Sequence, residues 1–292
     1  MDLSRAELVG EGMEGTVYRL GRGLIGKVWR ERGVDELRPL VDFYRELAAQ
    51  GLPFATPLIV EVAERDGRAC TVERELPGTP LSDAGLAPAA AHDAVVAVVT
   101  ALAATTAGPA TRALPVLNER IADRPVLPEL VRRRGAAFRP VLAASVPGFD
   151  ALLARLLAVL DAGPGGEPAA PAAGERIVHG DICPPNILVD TAGRPTALLD
   201  WGLLTTAGDN AFDAATAAAF FDMYGPEAAA HHEALAGRLA ETLGYDRRWL
   251  LAQLAGYAVA GACVYDPAGR DGHFAWCVEV LGQADVRAAL AD

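Results

Sequence analysis

Residues 177–190 read IVHGDICPPNILVD, and residues 195–202 read PTALLDWG. An apolar dipeptide leads into His179-Gly180-Asp181, four residues separate Asp181 from Asn186, and a short apolar run follows. The turn Thr191–Pro195 and a second run, Thr196–Leu199, then deliver Asp200-Trp201-Gly202. Apolar runs joined by a Gly/Pro turn predict a hairpin, which brings a carboxylate, a carboxamide and a second carboxylate to one end. Phosphoryl transfer needs that set: one carboxylate to orient and deprotonate a hydroxyl, and oxygen ligands to hold the magnesium that bridges nucleotide phosphates. Asp181 fits the base, and Asn186 and Asp200 fit the metal ligands. A lone Asp beside Gly or Pro ordinarily caps a turn, but three such groups in this order on one strand-turn-strand frame exceed what capping asks for.

A second pattern, VGEGMEGTVY at 9–18, supplies Gly10, Gly12 and Gly15 in Gly-x-Gly-x-x-Gly-x-Val spacing. A dinucleotide-binding turn shares its first part but opens a helix. Here the sequel, Thr16–Leu20 and Leu24–Trp29, reads as strands, so the glycines predict a flap whose backbone N–H groups approach phosphates. Lys27 falls twelve residues after Gly15, flanked by apolar residues that point to the other face of the strand. It is positioned to grip α- and β-phosphates. Such a lysine needs a carboxylate to hold it. Glu46, Asp42 and Glu36, on a helix expected over residues 37–50, are the candidates, with Glu46 preferred.

At 292 residues, 51% hydrophobic and 22% charged, the chain has enough apolar material for two lobes. Residues 1–76 alternate short β-like runs, including 58–62 and 69–73, with glycine turns, and predict a small nucleotide-binding lobe. Pro77-Gly78-Thr79-Pro80 predicts an irregular hinge. Residues 77–292 predict a helical catalytic and substrate-binding lobe, with helices near 88–107, 149–160, 211–223, 227–243 and 247–264. Residues 161–175 are rich in Pro, Gly and Ala and predict a solvated loop, and 108–148 carry no clear pattern. No apolar stretch has signal-peptide length at the N-terminus and none reaches the ~20 residues of a membrane span, so a cytoplasmic location is expected. The four scattered cysteines are expected to be free thiols. A formal charge of −12 disfavours nucleic acid as a partner.

These residues resemble the aminoglycoside phosphotransferase family, a branch of the protein-kinase-like superfamily of small-molecule kinases. His179-Gly180-Asp181 with Asn186 is similar to that family's catalytic loop. Asp200-Trp201-Gly202, followed by Gly208-Asp209-Asn210-Ala211-Phe212-Asp213, is similar to its metal-binding segment, with Asn210 where the family usually has Pro. Val72–Gly78 is similar to the hinge that meets adenine through backbone groups, which implicates Glu73, Glu75 and Leu76. The resemblance implies an α+β, protein-kinase-like bilobal fold, ATP and Mg²⁺ as cofactors, and transfer of the γ-phosphate to a hydroxyl of a small molecule such as an aminoglycoside-like antibiotic. His179 is implied to brace the catalytic loop, and Asp209 and Asp213 to cap a helix and brace the same loop. Asp209, Asp222, Glu227, Asp266 and Asp271 are candidate acidic contacts to an acceptor. A metabolic kinase acting on choline, a sugar or a homoserine-like acceptor, and a nucleotide-binding pseudokinase, are the alternatives. A monomer or weak dimer, with no membrane partner, is expected.

Overall fold

The computed structural model describes residues 6–12, 14–122, 125–166 and 174–291. The chain divides into two compact units. The first comprises Met1–Ala94, Gly108–Leu114 and Pro184–Asp200, and the second the remainder.

In the first unit, β1 (Glu7–Glu11), β2 (Gly15–Gly21), β3 (Leu24–Trp29), β4 (Ile59–Arg65) and β5 (Arg68–Arg74) form an antiparallel sheet in the order β1-β2-β3-β5-β4. Gly15 is required sterically, because a Cβ there would lie 2.1 Å from the Val28 carbonyl oxygen. The helix α1 runs from Val34 to Ala48 and buries Leu37, Leu40, Phe43, Tyr44 and Leu47. Its i, i+3, i+4 spacing makes that one face. The helix starts earlier than the sequence suggests because the Glu36 carboxylate reaches back to accept from the Gly33 N–H at 2.7 Å, the half of a capping box that a glycine N-cap allows, which leaves Pro39 inside the helix.

A second sheet in this unit consists of β6 (Thr79–Pro80), β8 (Ile187–Val189) and β9 (Pro195–Leu198) in the order β6-β8-β9. Thr79 and Pro80, expected to be irregular, pair with Val189 and Leu188. Proline is tolerated there because the strand lies at an edge. The hairpin is tied to the remainder of the unit by Ala55, which donates to the Thr196 carbonyl at 2.8 Å and accepts from the Leu198 N–H at 3.1 Å. Those bonds are why residues 184–200 belong with the N-terminal sheet and not, as their place in the sequence suggests, with the helices.

The second unit contains β7 (Arg176–Val178) paired antiparallel with β10 (Thr206–Gly208), and the helices α4 (Val126–Ala137), α5 (Arg139–Ser145), α6 (Phe149–Ala162), α7 (Ala211–Phe220), α8 (Ala228–Leu243), α9 (Arg247–Gly261), α10 (Gly272–Gly282) and α11 (Ala284–Ala289). The helix α2 (Pro88–Ala103) crosses from one unit into the other along the chain, and the short α3 (Pro109–Ala113) belongs to the first. Every residue of α7 is buried, and its alanines let α8 and α9 approach closely. Residues 167–173 of the loop expected over 161–175 lie outside the described residues. Among the described residues, no single helix is long and apolar enough to cross a membrane. None of the four cysteines forms a disulfide.

Candidate active site

The sheet unit builds its part of the site from three places. Gly10 lies on β1, and the Gly12 N–H donates to the Gly15 carbonyl at 2.9 Å to close the glycine-rich turn. A Cβ at Gly10 or Gly12 would meet nothing within 4 Å, so the fold itself leaves the turn uncovered. Lys27 projects from β3 next to this turn. Its ammonium lies 2.7 Å from a Glu14 carboxylate oxygen and 3.8 Å from the centroid of the Trp29 ring. The other Glu14 oxygen accepts from Arg32 at 2.8 Å.

Lys27 does not use the helix carboxylates named from the sequence. Glu46 accepts from the backbone N–H groups of Gly108, Ala110 and Thr111, at 2.9, 2.8 and 3.1 Å, and from the Thr111 hydroxyl. It anchors the first turn of α3, where the free N–H groups of a helix start require acceptors. Burial opposes its ionisation, but the hydrogen bonds from Thr111, Ala110 and Gly108 prevail and hold its pKa below the usual value. Asp42 pairs with Arg45 at 3.2 Å on the exposed side of α1, and Glu36 is the cap. Glu14 sits in the glycine-rich turn itself, where no helix-based search could find it.

Two further carboxylates share the field of Lys27. Glu73, on β5, is 7% exposed and accepts from the Thr71 hydroxyl at 2.6 Å. Burial raises its pKa, against the pull of Thr71 and Lys27. Its position is therefore inward through the side chain, whereas Glu75 turns to Arg19 at 2.7 Å and spends its N–H on the Gly23 carbonyl at 2.9 Å. Leu76 is half-buried.

Asp200, at the end of β9, stands solvent-accessible with a left-handed φ of 62°. Desolvation by neighbouring protein nonetheless raises its pKa, with Lys27 and Arg32 pulling it down and Glu14 pushing it up. The accessible surface and the desolvation are compatible when one side of the carboxylate is crowded and the other open. Asn186 ends the 3-10 turn Pro184–Asn186 and is 9% exposed. Its carbonyl accepts from the Leu199 N–H at 2.8 Å, a bond that sets Asn186 directly across the hairpin from the residue before Asp200. The buried Tyr44 phenol is raised well above its usual pKa by burial and then by Glu73, Glu14 and Asp200, so the charges of these three acids reach one point although they come from different segments.

The helical unit fixes Asp181 differently. His179 and Gly180 donate their backbone N–H groups to the two oxygens of Asp213, at 3.0 and 2.7 Å. The Asp181 N–H donates to Nδ1 of His179 at 3.1 Å, which assigns that ring nitrogen as an acceptor. Thr205 donates its hydroxyl to the His179 carbonyl at 3.2 Å and accepts from the Gly202 N–H at 2.9 Å. Trp201 packs edge-on against the His179 ring at 4.4 Å. Gly180 has φ 84°, and a Cβ there would stand 2.4 Å from that of Leu204. Asp213, 0% exposed, is pushed by burial up to about 7, against the hydrogen bonds from Gly180, His179 and Asn210.

Asp181 adds negative potential at the phenol of Tyr257, and around Tyr257 stand Phe212, Phe220, His273 and Trp276 at ring separations of 4.9 to 6.3 Å. Each acid suggested as an acceptor contact has a protein partner, although the buried Oδ2 of Asp271 has none. Asp209 accepts from the Trp249 indole at 2.7 Å and the Ala211 N–H at 2.9 Å, and Asp266 pairs with Arg270 at 2.7 Å. Asp271 caps α10, Asp222 accepts from the Glu227 N–H at 3.3 Å, and the Glu227 carboxylate lies 3.9 Å from His231.

The model of the phosphotransferase enzyme family, APH, matches residues 5–257. The chain belongs to that family. Solved structures of APH relatives share its fold. A GDP complex of an aminoglycoside 2'-phosphotransferase mutant superposes with TM-score 0.65 at 17% identity, covering 99% of this chain and 93% of that one. The ADP-bound aminoglycoside phosphotransferase APH(2'')-Ib gives 0.59 at 14% identity, over 98% and 92%. The apoenzyme of a macrolide 2'-phosphotransferase from Brachybacterium faecium gives 0.56 at 22% identity, over 95% and 91%. A search of curated proteins gives no match. Membership in APH makes the chain a phosphate-transferring enzyme with an antiparallel sheet unit and a helical unit.

Proposed function

We propose that this APH enzyme transfers the γ-phosphate of ATP, in a Mg²⁺-dependent reaction, to a hydroxyl group of a small molecule. The observation that carries this reading is the gathering of Lys27, Asp200, Glu14 and Glu73 into one field, with Asn186 directly across the hairpin from Leu199. The donors there suit a hard dication. A carboxamide and a carboxylate are oxygen ligands of the kind such an ion takes. Asn186 and Asp200 would hold Mg²⁺, which supplies charge neutralisation on the phosphate oxygens when bound.

Lys27 donates to the phosphates in this reading. To do so it exchanges Glu14 for them, and the Trp29 face keeps the ammonium in place during the exchange. The N–H groups of the uncovered turn at Gly10, Gly12 and Gly15 approach the same phosphates. Asp181 orients the acceptor hydroxyl and takes its proton as the O–P bond forms. His179, Asp213 and Thr205 keep Asp181 where the loop geometry puts it.

The relatives named above are aminoglycoside and macrolide enzymes, and an antibiotic-like acceptor follows by analogy. The test is a coupled assay of ADP release with macrolides, aminoglycosides, other hydroxylated antibiotics, choline-like alcohols and sugars. Acceptor-dependent release is expected for at least one class. Asp181→Ala should abolish it while retaining nucleotide binding, and turnover unchanged in Asp181→Ala would remove the base from the reading.

A further inference from the structure

The helical unit contains a cavity of about 610 Å³ that the phosphate-transfer reading does not use. It lies against the β7–β10 pair, where Val178 and Ala207 face it, and Leu127 and Leu130 of α4 and Phe212 of α7 supply further apolar wall. Asp181 is not among its lining residues. The volume falls within the ~300–1,000 Å³ typical of small-molecule sites, which are mostly apolar with a few convergent polar groups.

The polar groups on its wall are fixed, with one exception. Asp209 is engaged by the Trp249 indole and the Ala211 N–H, and Arg176 donates to the Thr105 carbonyl at 2.8 Å. Asn210 accepts from the Tyr245 hydroxyl at 3.3 Å and donates to Asp213 at 3.3 Å. Gln253, one helical turn after Trp249 on α9, is 3% exposed, lines the cavity, and has no side-chain hydrogen bond among the described residues. The amide has no protein partner to give up, and the space in front of it is large enough for a ligand that would pair it.

We propose that this cavity is a binding site for an uncharged, largely apolar small molecule carrying one hydrogen-bonding group, which the Gln253 amide recognises. A charged ligand is disfavoured by the mostly apolar wall, on which Asp209 is held by two donors and Arg176, donating to a backbone carbonyl, shares the lining with Glu175 of opposite charge. The site is separate from the groups assigned to nucleotide, since Lys27, Asn186 and Asp200 belong to the other compact unit and all lining residues to this one.

N-phenyl-1-naphthylamine is a suitable probe: neutral, apolar, fluorescent in dry surroundings, and endowed with a single N–H that the Gln253 carbonyl can accept. Titrated into the full chain, it should show saturable, blue-shifted emission that excess Mg-ADP leaves in place. Leu127→Trp, which fills the cavity, should abolish the signal. Should that chain not fold by circular dichroism, Ala103→Met narrows the same cavity from its edge and should weaken binding. Gln253→Leu, which keeps the volume and removes the amide, should weaken the probe at least fivefold. Absence of saturable binding, or displacement by Mg-ADP, overturns the site. Affinity unchanged in Gln253→Leu overturns the polar anchor and the ligand class with it.

Discussion

Around Lys27 the charged groups keep contact with water and share partners, whereas Asp213 is shut away from water and bonded to backbone amides. The Lys27 and Glu14 side chains are 18% and 27% exposed, and Glu14 divides its oxygens between Lys27 and Arg32. Asp213 is fully buried and both its oxygens are committed to backbone N–H groups that do not move without the loop. The first arrangement suits groups that must let go of one another when phosphates arrive. The second suits a frame that holds Asp181 at fixed geometry. A half-exposed ion pair is weak and exchangeable, while a buried carboxylate bonded to backbone amides resists change because removing it strands those amides.

The largest effect that could break this contrast belongs to Asp213. Its replacement by alanine leaves two buried N–H donors unsatisfied and should cost about 2–5 kcal/mol in denaturant titrations. A loss below about 1 kcal/mol would show that the loop is held by something else. The pH dependence sharpens the same point. Burial raises Asp213 to about 7 in the folded chain, against ~3.9 when unfolded. The folded state therefore binds the proton more tightly. The contribution is fully present below about pH 4 and is lost as pH rises through about 7. Urea midpoints of the wild type should fall between pH 5 and pH 7.5 relative to those of Asp213→Asn, which carries no such proton.

Glu46 separates structure from chemistry in the sheet unit. Glu46→Ala removes the acceptor for the α3 N-terminus and should cost about 1–3 kcal/mol in thermal or chemical unfolding, with nucleotide affinity unchanged. Were it instead the partner of Lys27, nucleotide affinity would fall while stability held. The smallest expected effect is at Glu14. In the proposed reading Glu14 competes with phosphates for Lys27, so Glu14→Gln should tighten nucleotide binding about twofold to fivefold, the size of a part-exposed ion pair, as read by calorimetric titration. Weaker binding would make Glu14 an orienting partner and not a competitor.

The candidate site stretch at 177–202 is legible because its signal is local. Thr196–Leu199 and Leu24–Trp29 needed only apolar runs and turn residues, and β9 and β3 lie over them. The all-apolar face of α1 and the long helices α6, α8 and α9 are equally local. What escaped depends on distant partners. Glu46 looks like a lysine partner until α3, more than sixty residues on, brings three backbone N–H groups to it. Thr79-Pro80 looks like a break until Val189 and Leu188 arrive to pair with it. The helices α4 and α5 fall in a stretch whose prolines and arginines mask the apolar period, since Arg134 is buried at 8% exposure and donates to the Ala260 carbonyl. Glu14 was missed because the glycine pattern draws the eye to its glycines, although an acid inside that turn stands thirteen residues from Lys27 on the adjacent strand.

Asp200 and Asn186 are proposed to hold the dication that accompanies a nucleotide, in the field of Lys27. Calorimetric titration of ADP into the wild type and into Asp200→Ala, each with and without Mg²⁺, tests it directly. Mg²⁺ should strengthen ADP binding to the wild type and make no difference to Asp200→Ala, while both bind metal-free ADP alike. An equal Mg²⁺ enhancement in the variant would contradict the assignment.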